Sequence, residues 1–213
     1  MSDLGVAHQF DDLPQRHQAA SLGIWIFLAG EILFFGALFA GYTIYRVNYP
    51  HAFSVASSHL YLWIGAVNTA VLLTSSLTVA LAVHAATEHD RHATLQFLLA
   101  TIGLAVAFLI FKAVEYYLDY REELVPVLRF NPLRAAADPA HVQLFLTFYF
   151  IMTGLHALHV TAGIVVMGVL AIVIQRRGAR GQANAVEMTG LYWHFVDIVW
   201  LFLFPLLYLL GAS

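Results

Sequence analysis

Cysteine is absent from the 213 residues, which excludes disulfides, iron–sulfur clusters and thiolate metal sites together. Charge is scarce as well. Only 11% of the residues are Asp, Glu, Lys or Arg, against about 25% in a soluble domain, so most of the surface must face something other than water, and lipid is the simplest candidate. The few basic residues are unclustered and the net charge is −3, which leaves no basic stripe to neutralise nucleic-acid phosphates. The period-2 alternation of an outer-membrane strand is also missing. Residues 1–20 are polar, with Asp11, Asp12, Arg16 and His17. They lack the basic start and small-residue cleavage site of a signal peptide, and a retained surface segment is expected there.

What the chain does have is apolar length. A spanning helix needs roughly 20 mostly apolar residues, and five windows meet that: Ser21 to Arg46, Leu60 to His84, Thr94 to Asp119, His141 to Gln175, and Glu187 to Leu210. The expected fold is all-α, a polytopic bundle of five spans forming one domain over residues 21–213. The fourth window is longer than one crossing requires, so its first turns should lie at or beyond the interface. Val47 to His59 with Pro50, His84 to His92, Tyr120 to Ala140 with Pro126, Pro132 and Pro139, and Arg176 to Val186 read as polar connections. An odd span count puts the termini on opposite sides. Arg16, Arg91, Arg176, Arg177 and Arg180 fall on the N-terminal side, and Arg46, Arg121, Arg129 and Arg134 on the other. Basic residues in short loops favour the cytoplasm, which places the N-terminus inside and the C-terminus outside.

Ionisable groups inside a bilayer are costly, so each asks for a reason. Glu31 is about ten residues into the first span, roughly 15 Å deep at 1.5 Å per residue, with Gly23, Gly30 and Gly41 near its face. Small residues admit a second helix closely, so Glu31 is expected to face a packed neighbour. Two roles are open to it: a hydrogen-bonded packing residue, or a proton-responsive or lipid-associated site. In the third span Lys112, Glu115 and Asp119 recur at three and four residues and share one face. Lys112 is close enough to the helix end to snorkel, and Tyr116 and Tyr117 suit an interfacial aromatic belt. Glu115, the deepest carboxyl of the three, reads as a structural partner ahead of a working acid.

The fourth span holds His156 and His159 at i, i+3. A metal there would want a third ligand, for which His194 is available, and a second shell. Interhelical hydrogen bonding is the commoner use of such residues, and no metal is assigned. In the last span Glu187, His194 and Asp197 fall within one stripe. A hydrogen bond between His194 and Asp197 would satisfy both and fix the imidazole, so His156, His159, Glu187, His194 and Asp197 are read as an intramembrane hydrogen-bonded cluster. A serine-hydrolase reading fails because no Ser sits in a strained turn beside an oxyanion donor. No catalytic residue is assigned.

These segments carry a resemblance. Tyr192-Trp193-His194-Phe195-Val196-Asp197-Ile198-Val199-Trp200-Leu201 resembles the last-helix signature of cytochrome c oxidase subunit III. Thr153-Gly154-Leu155-His156-Ala157-Leu158-His159-Val160 resembles that family's T-G-x-H-x-L-H-V segment. Glu31-Ile32-Leu33-Phe34-Phe35 is similar to the stretch around its carbodiimide-reactive glutamate, Glu115-Tyr116-Tyr117 to its E-Y-Y, and Asn68-Thr69-Ala70-Val71-Leu72-Leu73 to its N-T-x-V-L-L. The matches follow family order across all five spans, from Ser21 to the C-terminus.

The resemblance implies a bundle docked beside the catalytic subunit I of a proton-pumping haem-copper terminal oxidase, with subunit II in the complex. It implies no haem or copper in this chain, those cofactors residing in partner subunits. It implies bound phospholipid, support of proton uptake, protection against turnover inactivation, and residence in the bacterial inner membrane. The chain departs from the seven-span members by lacking their first two spans, which form one arm of a lipid cleft. Glu31, Glu115 and Glu187 fit the cytochrome c oxidase pattern; the third subunit of a quinol oxidase is the alternative, and a nitric oxide reductase accessory protein comes next. A small channel or transporter is the reading from another class. Broken helices and inverted repeats would support it, and the sequence shows neither.

Overall fold

A computed structural model describes residues 13–58, 60–126, 129–130, 138–178 and 181–209. Residues 1–12 of the polar N-terminal segment, and Arg134 and Arg180 of the charge tally, lie outside the described residues. Helix α1 runs Leu13–Asn48, α2 Pro50–Ser58, α3 Leu62–Thr87, α4 Arg91–Arg121, α5 Pro139–Arg177 and α6 Ala183–Phe204, which ends in a π-helical turn over Pro205–Leu209. All but α2 are long and apolar enough to cross a membrane. The five expected spans are therefore all present, and α5, at 39 residues, is the longest.

The connections correct the sequence reading in two places. The stretch expected as a loop around Pro50 contains α2, because proline at a first helical position loses no hydrogen bond and arrives with helical φ. The long connection after α4 carries a small antiparallel hairpin, β1 (Leu124–Val125) against β2 (Arg129–Phe130), paired Leu124 to Phe130 and Val125 to Arg129. Side-chain caps start two spans. Asp90 accepts from the backbone N–H groups of His92 and Ala93 at 2.9 and 3.0 Å and begins α4. Asp138 accepts from Ala140 N at 3.1 Å and begins α5, with Pro139 in its first turn. Both satisfy N–H groups that the helix itself leaves unpaired. At the membrane edge Tyr61 donates to Glu122 at 2.5 Å, and this carboxylate pushes the phenol up to about 12.

In lipid, apolar burial does not select one helix over another, so close approach and hydrogen bonds must. Helices α3 and α6 meet through both. Trp193 Nε1 donates to Ser75 Oγ and Trp200 Nε1 to Thr69 Oγ1, each at 3.0 Å, while Ser76 Oγ lies 2.8 Å from His194 Nδ1. The pairing falls along α6 as it rises along α3, so the two run antiparallel. Close approach is set by glycine at Gly65 of α3, where a Cβ would sit 2.8 Å from Phe204, and at Gly190 of α6, where it would sit 2.9 Å from Val83; Gly163 does the same for α5 against α6, where a Cβ would sit 2.6 Å from the Trp193 ring.

Helix α1 is attached differently. Its described core residues are Leu28, Phe35 and Tyr42, one every seventh position, a narrow seam, while Leu22, Trp25, Ile26 and Leu33 are exposed. Polar bonds at one end compensate. Tyr42 Oη and Arg46 reach the carbonyl of Leu206 at 2.9 and 3.4 Å, and Ser57 of α2 reaches that of Leu207 at 2.6 Å. The π-turn after Pro205 thus supplies the carbonyls that accept these bonds. Also at this end, the Tyr49 ring stacks on His141 at 3.6 Å, joining the end of α1 to the start of α5.

Candidate functional site

The inward stripe of α4 reads Thr94, Leu98, Thr101, Ala105, Phe108, Lys112, Glu115, Asp119, so the three charged residues continue a helical face that is otherwise core. Lys112 does not snorkel: it is 2% exposed. Its ammonium has three protons and three acceptors close by, Glu115 Oε2 at 2.9 Å, Tyr208 Oη at 3.0 Å and Tyr149 Oη at 3.1 Å. The rings of Tyr149, Tyr116 and Trp200 lie 4.9, 5.1 and 5.5 Å from Nζ, and aromatic faces attract a desolvated cation. With every donor satisfied inside, nothing draws the side chain to the interface. Tyr208 also donates to Glu115 Oε1 at 2.5 Å, so one phenol links both charges. Glu115 and Asp119 are fully buried, and both Asp119 oxygens lack a hydrogen-bond partner among the described residues. Tyr116 instead meets Thr153 at 2.6 Å, and Tyr117 is exposed.

Glu31 belongs to a second site. Among the described residues no neighbour covers Gly23 or Gly30, where an added Cβ meets nothing within 4 Å, while at Gly41 it would meet Phe148 at 3.6 Å. Glu31 turns toward α5, where its Oε2 lies 3.2 Å from His159 Nε2. The other ring nitrogen, His159 Nδ1, is 2.8 Å from the carbonyl oxygen of Leu155. Tyr192 of α6 donates to the His159 carbonyl at 3.0 Å, and Phe35 meets the imidazole edge-on at 5.3 Å.

The remaining cluster residues do not assemble as expected. His194 turns to Ser76 rather than Asp197, and the two Asp197 oxygens are buried without a hydrogen-bond partner. His156 is fully buried between Phe108 and Trp200, at 5.5 and 5.2 Å between ring centroids, and neither of its nitrogens is bonded. Glu187 is exposed in the first turns of α6. The five are dispersed because helix azimuth is set by packing: the indoles of Trp193 and Trp200 take the α3 hydroxyls and leave Asp197 between them. Among the described residues no three His, Asp or Glu side chains converge as a metal ligand set.

Between α1 and α6 lies an open groove of about 380 Å³. Trp25, Ile32 and Phe39 line one wall and Leu191, Phe195 and Phe202 the other, with His194 in the α6 wall. It follows from the narrow α1 seam, which leaves the two helices in contact at few places.

Tyr149, Tyr208, Ser76 and Tyr192 were not singled out from the sequence. The three tyrosines are hydroxyls in apolar runs and Ser76 one of several hydroxyls between Thr74 and Thr78, which was the available signal, and each has its partner on another helix.

The cytochrome c oxidase subunit III family model matches residues 11–120 and 134–212. Subunit 3 of the cytochrome bo(3) ubiquinol oxidase of Pseudomonas aeruginosa is 32% identical over 208 residues, 97% of this chain and 92% of that protein. The probable quinol oxidase subunit 3 of Staphylococcus aureus is 31% identical over 202 residues, 94% of each. With its five spans in place and the match running over nearly its whole length, the chain belongs to the cytochrome c oxidase subunit III family.

Proposed function

We propose that this chain is the non-catalytic third subunit of a proton-pumping haem-copper terminal oxidase, docked on the catalytic subunit I in a bacterial inner membrane with subunit II in the same complex. The observation that carries the reading is the family match over almost all of the chain, with relatives that are themselves oxidase third subunits. The geometry supports an accessory role. Lys112 and Glu115 are consumed in helix-to-helix bonds rather than presented in a cleft. The α1–α6 groove is lined by apolar side chains suited to an acyl chain, which supports the expected phospholipid binding. Haem and copper are assigned to the partner subunits. Stripping the chain from the purified oxidase should leave oxygen reduction and the haem spectrum intact at first, with activity decaying over successive turnovers. Immediate and complete loss of the haem spectrum would refute it.

Quinol is the better-supported electron donor. Both relatives are quinol oxidase subunits by name. Glu31, Glu115 and Glu187, which favoured a cytochrome c oxidase on sequence grounds, bear on this chain's own packing or surface and say nothing about a donor site. Oxidation of a quinol, and not of reduced cytochrome c, by the copurified complex tests this. The N-terminus is assigned to the cytoplasm on the arginine distribution, and reporter fusions at the two ends check it.

A further inference from the structure

We propose that Asp119 is a ligand of an enclosed binding site for a small monovalent cation, at the end of α4 that leads to Glu122. The Asp119 carboxyl is fully buried within the span, and neither of its oxygens has a hydrogen-bond partner among the described residues. Its helical neighbours four residues before and three after are Glu115 and Glu122, which share its face. Lys112, the cation of that face, is already spent, since its three protons go to Glu115, Tyr208 and Tyr149. Lys112 and Glu115 offset each other, which leaves Asp119 as an uncompensated acid with like charges on either side. Such a group persists inside a bilayer only when it is paired or coordinated.

The surroundings select the ligand. A basic side chain of a neighbouring subunit has no way in, because Asp119 has no exposed surface. A water molecule alone would supply hydrogen bonds and leave the charge. A proton alone would remove the charge, but its O–H would want an acceptor, and none stands at bonding distance. A divalent ion would exchange one excess charge for another of opposite sign, and no three acidic or imidazole side chains converge among the described residues to hold it. One monovalent ion closes the count. Hard cations take oxygen ligands, and apart from Lys112 the groups that act on the Asp119 carboxyl are oxygen-bearing: Glu115, Tyr149 and Glu122. Tyr149 faces it without reaching bonding geometry, and the ion or its water would fill that gap. The route to solvent is short. Asp119 is two residues from Arg121, the exposed last residue of α4, about 3 Å along the axis at 1.5 Å per residue. Tyr61 also faces Asp119, from the start of α3, and its 2.5 Å bond to Glu122 makes these two residues the cover of the site.

Sodium is the probe, and the complex that contains this chain is the sample. With 13C-aspartate labelling, the Asp119 carboxyl resonance should shift and saturate as sodium replaces N-methylglucamine at constant pH and ionic strength. The resonance is assigned by its loss in Asp119→Asn, or by its loss in the charge-conserving Asp119→Glu where the first variant does not assemble. The 23Na signal should show a matching excess broadening, lost in Asp119→Asn and kept in Glu123→Gln, which alters an acid just outside the span. A carboxyl resonance indifferent to sodium overturns the proposal. One that follows pH and not sodium does so too, by giving the place to a proton. Full 23Na broadening in an assembled Asp119→Asn complex has the same consequence.

Discussion

Replacing Lys112 by methionine keeps a linear side chain and removes the charge, and its cost can be bounded in two ways. The ammonium gives up bonds of 2.9, 3.0 and 3.1 Å to groups on α4, α5 and the terminal turn. Hydrogen bonds between spans average about 0.6 kcal/mol and reach about 1.7, so three of them set a range of about 2 to 5 kcal/mol. Breaking a buried ion pair by removing one partner costs about 3–5 kcal/mol, because the other charge is left uncompensated. The two agree on about 3–5 kcal/mol, most of it the stranding of Glu115, which has no exposed surface. Removing that charge too should recover part of the loss. Lys112→Met with Glu115→Gln is therefore expected to be more stable than Lys112→Met alone, with a coupling energy of at least about 1 kcal/mol, inside the range for residues in contact. Reversible unfolding of the detergent-solubilised chain in mixed micelles, followed by tryptophan fluorescence, reads the four stabilities. A single-substitution cost below about 1 kcal/mol, or strict additivity in the double, would falsify the claim that the pair is a buried unit.

Gly163→Val should destabilise the bundle by about 1–3 kcal/mol through overpacking, since even a Cβ would lie 2.6 Å from Trp193; the same unfolding assay checks it, and Gly168→Val, in open space, is the control. Asp197→Leu should leave the isolated chain as stable as before or slightly more so, because the carboxyl it removes has no partner and apolar replacement of an unsatisfied buried polar group is cheap. If that variant nevertheless assembles poorly with the oxidase, the partner of Asp197 lies in a neighbouring subunit. The His141 hydrogen bond, aided by the Ala140 amide, holds the exposed Asp138 carboxyl below the usual carboxylate range. A depressed carboxyl contributes stability above its unfolded value and loses it as pH falls through the folded one, so the α5 cap should persist down to about pH 4 and open below it. Amide exchange at Ala140, corrected for intrinsic rate, should show this in the wild type, and Asp138→Asn should keep the cap without the acid transition. Hydrophobic carbodiimide, which dissolves in the bilayer, should label Glu31 inside the first span ahead of Glu122 and Glu123 outside the spans; peptide mapping of the labelled chain decides.

The spans were legible because a mean hydropathy of +0.75 over the chain and five apolar windows leave the backbone no alternative to helix in lipid. Helix α2 was not, because Pro50 reads equally as a breaker and as a first-turn residue, and nine residues are too few for periodicity to arbitrate. For the ionisable groups, spacing identified which residues share a face and nothing more. It placed Lys112, Glu115 and Asp119 on one face, which is correct, and predicted snorkelling, which is not, because the choice depended on two phenols, Tyr149 and Tyr208, distant in sequence. It grouped His194 with Asp197 because they are three apart, yet Ser76 on α3 outcompetes the local partner.

The contrast between α6 and α1 shows what the polar residues accomplish in such a bundle. Helix α6 is held to α3 by indole and imidazole contacts with hydroxyls spread along its length, and Gly65 and Gly190 let its large side chains and backbone approach closely. Sliding one helix past the other would break several of these at once, so the register is fixed. Helix α1 has its seam of Leu28, Phe35 and Tyr42, the mid-span polar contact between Glu31 and His159, and a group of bonds at the end nearest the π-turn. A seam of seven-residue spacing is nearly uniform along its length, and apolar contact with a neighbouring helix is worth little more than contact with lipid. The orientation of α1 about its own axis therefore depends chiefly on Tyr42 and Arg46 at one end and Glu31 in the middle. The end bonds act on residues Leu206 and Leu207, beyond Pro205, where the chain departs from regular α-helix. The irregular end of the last span is thus what closes the bundle onto its first, and the same turn carries Tyr208 into the Lys112–Glu115 pair, so the attachment of α1 and the buried charges share one structural support.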